Sequence, residues 1–316
     1  MKTALALTSV GLIAMALILS SCSQSTSPES PVEKIVFAMQ TDNHFSNIFT
    51  MNSDGTDLAR LTEVAVTCQF PCWSGDGAKI AFCEYIDNAN QIFVMNSDGS
   101  NIHQITFIDT TQADSWISYG SPSWSPDGSQ IVCARTVFPD SGGGGAPDIY
   151  LMNADGSNLH KLYGIDGRTQ TNPAWSPDGS KILFESYADV SGLYTINPDG
   201  TGLTFIIGGS GDYVEPSWSP DGTQIAYSFK SYGETGWIWQ ICIASANGSN
   251  PVNLSNNEYS ERHPVWSSDG EKIVFVTDEL GEFNNEIYTM NTDGAERTDI
   301  SNSSTSEYWP AVYYAR

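Results

Sequence analysis

Apolar residues along this chain fall into short runs, each bounded by Gly, Pro, Asn, Asp or Ser. One run reads Ile48-Phe49-Thr50-Met51-Asn52 and is followed by Ser53-Asp54-Gly55. It returns as IFVMNSDG from Ile92, IYLMNADG from Ile149, LYTINPDG from Leu193, ICIASANG from Ile241 and IYTMNTDG from Ile287. A second phrase interleaves with it, beginning PCWSGDG at Pro71. That phrase recurs as PSWSPDG at Pro122, PAWSPDG at Pro173, PSWSPDG at Pro216 and PVWSSDG at Pro264, with a degenerate sixth copy at Pro310-Ala311-Val312. Trp73, Trp124, Trp175, Trp218 and Trp266 are therefore 51, 51, 43 and 48 residues apart.

Alternation places every second side chain of a strand on one face. Each repeat then predicts four strands. The first carries Pro-x-Trp and the second is an apolar run such as Lys181-Ile182-Leu183-Phe184. The third is Ile-Tyr-x-Met-Asn, and the fourth, such as Leu58-Ala59-Arg60-Leu61-Thr62, follows an Asp-Gly turn. In the Ser-Pro-Asp-Gly turns, Pro supplies φ near −65° and Gly the positive φ. A four-stranded repeat of this length predicts a propeller blade. The fold expected for residues 32–316 is all-β, a six-bladed β-propeller of four-stranded blades. The chain enters at Val32 without a Pro-x-Trp strand and leaves on one at Pro310, so the C-terminal strand should close the first blade and remove an open edge.

Ahead of the repeats, Lys2 precedes an apolar run from Ala4 to Leu19, short for a membrane span and suited to an export signal. Leu19-Ser20-Ser21-Cys22 resembles the lipobox of bacterial lipoproteins. The resemblance implies a signal peptide over residues 1–21 and a lipid on Cys22. Residues 22–31 are Ser/Pro-rich and read as a flexible tether. The expected location is the bacterial cell envelope, lipid-anchored to a membrane, either the outer membrane facing the periplasm or the cell surface.

The net charge of −24 excludes a nucleic-acid partner, which needs a basic footprint. It permits a cationic one. Ten acids are Asp-Gly turn aspartates, however, and account for much of that charge without implying a partner.

The repeated phrases resemble those of the TolB family, also called WD40-like PD40 repeats. The resemblance covers roughly residues 32–316 and implies an envelope-anchored binding or interaction module of the TolB-like type, without TolB's N-terminal α/β domain and without a transfer of its role in the Tol–Pal system. Protein, peptide and carbohydrate ligands all stay open. The alternative is a carbohydrate-active enzyme of the oligogalacturonate-lyase kind, acting on the loop rim. A peptidase nucleophile elbow is missing, since Gly208-Gly209-Ser210-Gly211-Asp212 lacks the last Gly.

No catalytic residue, metal or cofactor is assigned. Cys133 and Cys242 replace aromatic residues of sister repeats and should be buried thiols. Cys68 and Cys83 fall nearly opposite across a hairpin, so a disulfide between them is geometrically possible. The candidate ligand site is the rim opposite the Ser-Pro-Asp-Gly turns, because such loops vary without disturbing blades. Glu261 and Glu307 lie three residues before an inner-strand Pro, while Glu215 and His263 directly precede one. These groups, with Tyr259 and Trp309 beside them, are expected to cluster at one mouth and offer carboxylates and stacking surface to a ligand.

Overall fold

A computed structural model describes residues 33–41, 45–63, 65–107, 115–139, 144–233, 236–279, 285–301, 303 and 305–313. The expected signal peptide, Cys22 and the tether lie outside the described residues. No helix among the described residues is long and apolar enough to cross a membrane.

Blade 1 contains β1 (Lys34–Gln40), β2 (Ser46–Asn52) and β3 (Ala59–Arg60). Blade 2 is β4 (Cys68–Trp73), β5 (Lys79–Ile86), β6 (Ala89–Asn96) and β7 (His103–Gln104). Blade 3 is β8 (Ser115–Trp124), β9 (Gln130–Pro139), β10 (Asp148–Asn153) and β11 (His160–Tyr163). Blade 4 is β12 (Gln170–Trp175), β13 (Ile182–Tyr187), β14 (Ser191–Ile196) and β15 (Thr204–Gly208). Blade 5 is β16 (Tyr213–Trp218), β17 (Gln224–Gly233), β18 (Gly236–Ser245) and β19 (Val252–Asn253). Blade 6 is β20 (Glu261–Trp266), β21 (Lys272–Thr277), β22 (Glu286–Asn291) and β23 (Thr298–Asp299). The last strand, β24 (Glu307–Val312), pairs with β1 in the order β24-β1-β2-β3. All six sheets are four-stranded and antiparallel within each blade, as the repeats predict, and the closing strand sits where the chain ends require it.

The core lies between blades. Trp124 packs with Ala81 and Ile92 of blade 2, Trp175 with Val132 and Ile149 of blade 3, and Trp218 with Leu183 and Leu193 of blade 4. Trp266 packs with Ala226 and Ile241 of blade 5, and Trp73 with Val36 and Ile48 of blade 1. Each indole thus reaches back to the preceding blade. At the degenerate sixth copy, Val312 takes this place against Val274 and Ile287 of blade 6.

Both turn phrases are held by the same local chemistry. In the first, Ser74 Oγ donates to Asp76 Oδ1 at 2.6 Å and accepts from the Lys79 N–H at 2.9 Å. Ser125, Ser176, Ser219 and Ser267 repeat the contact with Asp127, Asp178, Asp221 and Asp269. The Ser74 hydroxyl is the main cause holding the Asp76 carboxyl below its ordinary pKa. In the second phrase the glycine also faces a neighbouring blade. A Cβ on Gly156 (φ +83°) would stand 2.0 Å from the Ile105 carbonyl oxygen, and one on Gly55 (φ +83°) 2.1 Å from that of Ile300. The latter contact joins blade 1 to blade 6.

Cys68 and Cys83 do not pair. Register sets Cys68 against Glu84 and Cys83 against Gln69, so the two cysteines are one residue out of step and point to opposite faces. Cys68 enters the layer toward blade 1 and Cys83 the layer toward blade 3. All five described cysteines are free.

Candidate binding site at the channel mouth

Every inner strand carries a bulge just before its proline. In β16, Val214 pairs with Ser228 and Ser217 with Ala226, so Glu215 and Pro216 together oppose Tyr227. Proline has no N–H to give a ladder, which is why it sits at a bulge. The residue before it adopts a left-handed conformation in all six strands: Phe70, Ser121, Asn172, Glu215, His263 and Trp309 have φ between 47° and 56°. These six form a ring around the channel mouth. They line a vestibule of about 410 Å³ and, with their prolines, a narrower neck of about 140 Å³ beneath it. At the other end of the channel, Trp73, Trp124, Trp175 and Trp218 line a cavity of about 260 Å³.

One half of the ring is polar and continuous. Ser121 Oγ donates to Asn172 Oδ1 at 2.6 Å, and Asn172 Nδ2 donates to Glu185 Oε1. The same Glu185 oxygen accepts the Glu215 N–H at 2.6 Å. Glu215 in turn accepts from Ser228 Oγ at 2.9 Å, from the His263 N–H at 3.0 Å and from the Arg262 guanidinium. His263 Nδ1 lies 3.4 Å from Glu215 Oε1. The other half is aromatic. His263 meets Trp309 edge-on at 6.0 Å, and Trp309 tilts against Phe70 at 4.5 Å.

Burial dominates the titration of these groups. It raises the Glu185 pKa to about 7, against the hydrogen bonds of Asn172 and Glu215. Glu215 ends below its ordinary value, because His263 and Arg262 together outweigh its desolvation. Burial also pushes His263 down, against the pull of Glu215. At neutral pH the mouth therefore holds a carboxylate clamped by a guanidinium, with a proton available behind it on Glu185.

A second row of aromatics rises from blade 5. Tyr232 and Trp237 pair across the β17–β18 hairpin and are 74% and 67% exposed. Lys230 Nζ stands 5.7 Å from the Trp237 ring and 5.6 Å from the Trp239 ring. The Arg262 guanidinium stands 4.6 Å from Trp239, so the row runs from the hairpin tip to Glu215.

Of the six expected rim residues, Glu215, His263 and Trp309 are brought together at the mouth. Glu261 and Glu307 are not. Both are buried in the layers between blades, 0% and 1% exposed, because the bulge resets the alternation between them and the proline. Glu261 is held by Asn257, Ser255 and Arg297. Burial, with Glu286 nearby, lifts Glu307 to about 8. Tyr259 is 40% exposed in the loop before β20. Arg262, Asn172 and Glu185 also belong to the mouth, and no repeated phrase marks them in the sequence. A lone carboxyl inside the apolar run Ile182-Leu183-Phe184-Glu185-Ser186 was the available signal for the last. Among the described residues, no three His, Cys, Asp or Glu side chains group as metal ligands.

No family profile matches the sequence. The Protein TolB homolog of Chlorobium chlorochromatii is 26% identical over 150 residues, covering 48% of this chain and 31% of that protein. The Tol-Pal system protein TolB of Francisella tularensis is 29% identical over 187 residues, covering 58% of this chain and 40% of that one. This chain thus matches well under half the length of these curated relatives. The crystal structure of TolB from Acinetobacter baumannii superposes on 90% of this chain and 67% of its own, with a TM-score of 0.72 at 19% identity. Sequence repeats, ring closure and these relatives agree: the chain is a TolB-like six-bladed β-propeller.

Proposed function

We propose that this protein is a non-enzymatic, envelope-anchored module that binds a protein partner through a peptide segment seated at the channel mouth, and that Cys22 supplies the anchor. The observation that carries the reading is the ring itself. Six strained, non-glycine residues point their side chains into one vestibule, half of it aromatic and half a connected polar chain around Glu215 and Arg262. Strain of this kind, of order 1–3 kcal/mol per residue, clusters at functional sites. An acceptor and a donor at fixed positions beside aromatic walls suit an extended peptide, whose backbone offers both. The sequence relatives are Tol-Pal system proteins, which accords with a protein partner.

The test is a cross-linking pull-down from the envelope fraction with wild type, Trp309→Ala and Arg262→Gln. Both variants should lose the partner captured by wild type at least about tenfold, with circular dichroism unchanged. Capture unaffected by either substitution moves the site elsewhere. A carbohydrate-active enzyme is the second reading, favoured by Glu185 holding a proton near neutrality beside Glu215. It requires substrate to reach Glu185, which is 2% exposed.

A further inference from the structure

The β17–β18 hairpin of blade 5 is longer than its counterpart in blade 6. Each of its strands has ten residues, against six in β21 and in β22. Residues two apart share one face of a strand. Ser228, Lys230 and Tyr232 therefore lie in one row, opposite Ile241, Trp239 and Trp237 across the pair. At the base of this row Ser228 and Ile241 are fully buried, and Ile241 packs with Trp266 of blade 6. At the tip the same face is open: Tyr232 and Trp237 are the most exposed large hydrophobic side chains among the described residues.

Along this face rings alternate with cations. The Arg262 guanidinium stands over Trp239, and Lys230 Nζ stands near both Trp239 and Trp237. Tyr232 then meets Trp237 edge-on at 5.4 Å. Both cations are already matched, Arg262 by Glu215 and Lys230 by Asp212 at 3.4 Å. The row therefore offers no spare positive charge to an anion. Its outer rings offer π faces instead, in a chain with 37 Asp and Glu against 13 Lys and Arg. Such a field draws in cations from a distance.

We infer that the open face of this hairpin docks a basic segment of the protein partner, whose Arg or Lys side chains stack on Trp237 and Tyr232 and continue the alternation that Arg262 and Lys230 begin. The inference rests on the mouth being a peptide site, and adds the chemistry of the segment that flanks it. A guanidinium is weakly hydrated and lies flat on an aromatic face, which suits rings as exposed as these. The net charge supplies attraction, and the rings fix where the segment sits.

The experiment titrates the purified chain by calorimetry at about 0.15 M salt, where long-range attraction is screened. The probes are an Arg-Gly repeat peptide, the matching Glu-Gly peptide, a chitin oligosaccharide and phosphatidylcholine vesicles. Only the Arg-Gly peptide should bind, and saturably. Tyr232→Ser combined with Trp237→Ser leaves the charge unchanged and should weaken that binding roughly tenfold. Tyr232→Phe combined with Trp237→Phe keeps the π faces and should stay within about threefold of wild type. Circular dichroism should match wild type for both variants, since these side chains lie at the surface. Affinity that survives the Ser variant overturns the site, because net charge alone would then hold the peptide. Absence of binding overturns it too. So does preference for the Glu-Gly peptide, the oligosaccharide or the vesicles, which would make the hairpin an anion, carbohydrate or membrane contact. The titration needs no cellular partner, so it can fail while the pull-down with Trp309→Ala succeeds, and the reverse.

Discussion

Glu185 follows the apolar run Ile182-Leu183-Phe184 in β13, and its burial outweighs the hydrogen bonds it accepts from Asn172 and the Glu215 N–H. Its pKa near 7 lies above the ordinary 4.5, so the folded state prefers the protonated form. The stability this gives is fully present below about pH 4.5 and is lost as pH rises through about 7. Glu185→Gln should keep the protonated form's hydrogen-bonding shape and flatten that part of the profile, by up to roughly 3 kcal/mol. Urea melts at about pH 5 and about pH 8 measure it. Glu307, lifted to about 8, contributes with the same sign, so the variant's slope shrinks without vanishing. A slope identical to wild type refutes the assignment. Half of the mouth was legible at this scale. Glu215, His263 and Trp309 announce themselves by their place beside a repeated proline or strand. Glu185 and Arg262 do not, since each joins the mouth through contact with Glu215, which belongs to a different blade.

The bulge is the element-scale feature that sequence alternation does not report. A regular strand would send residues two apart to the same face, and on that rule Glu261 and Glu307 belong beside the channel. An extra residue at the proline reverses the rule, and both carboxyls turn into the layer between blades. The same sensitivity explains Cys68 and Cys83, where a shift of one residue separates two thiols that spacing alone sets face to face. Ring closure, by contrast, was readable, because it depends on which strand is missing at each end and not on register. Its consequence is testable at the same scale. Deleting Pro310 to Arg316 removes half of β24, including Val312 from the layer between blades 1 and 6. It also removes Tyr313, whose hydroxyl donates to the Asp76 carbonyl at 3.1 Å. The truncated chain should lose its sharp thermal transition and expose the inner edge of β1 to aggregation. Circular dichroism melts and light scattering read both, and an unchanged melt would contradict the role of this strand.

For the molecule as a whole, six copies of two phrases are enough to specify a ring, since each indole needs the blade before it to complete its burial. The repeats say nothing of location, and the proposed envelope location rests on the apolar run Ala4 to Leu19 and on Cys22. Cys22→Ala should release the protein from the membrane fraction or leave it unprocessed, as read by fractionation and by the mass of the N-terminal peptide. Wild type found wholly soluble after lysis would remove the anchor from the proposal.

The left-handed residues of the ring carry one more implication. Phe, Ser, Asn, Glu, His and Trp share one backbone conformation, though only Asn and His are enriched in it. The scaffold, not the side chain, therefore imposes the geometry and bears its cost. Such a position behaves as a socket whose content can be exchanged while its aim stays constant. Specificity at this mouth could then diverge between relatives through six single-residue changes, with the blades untouched, and a library randomised at those positions alone would sample new partners on an unchanged fold.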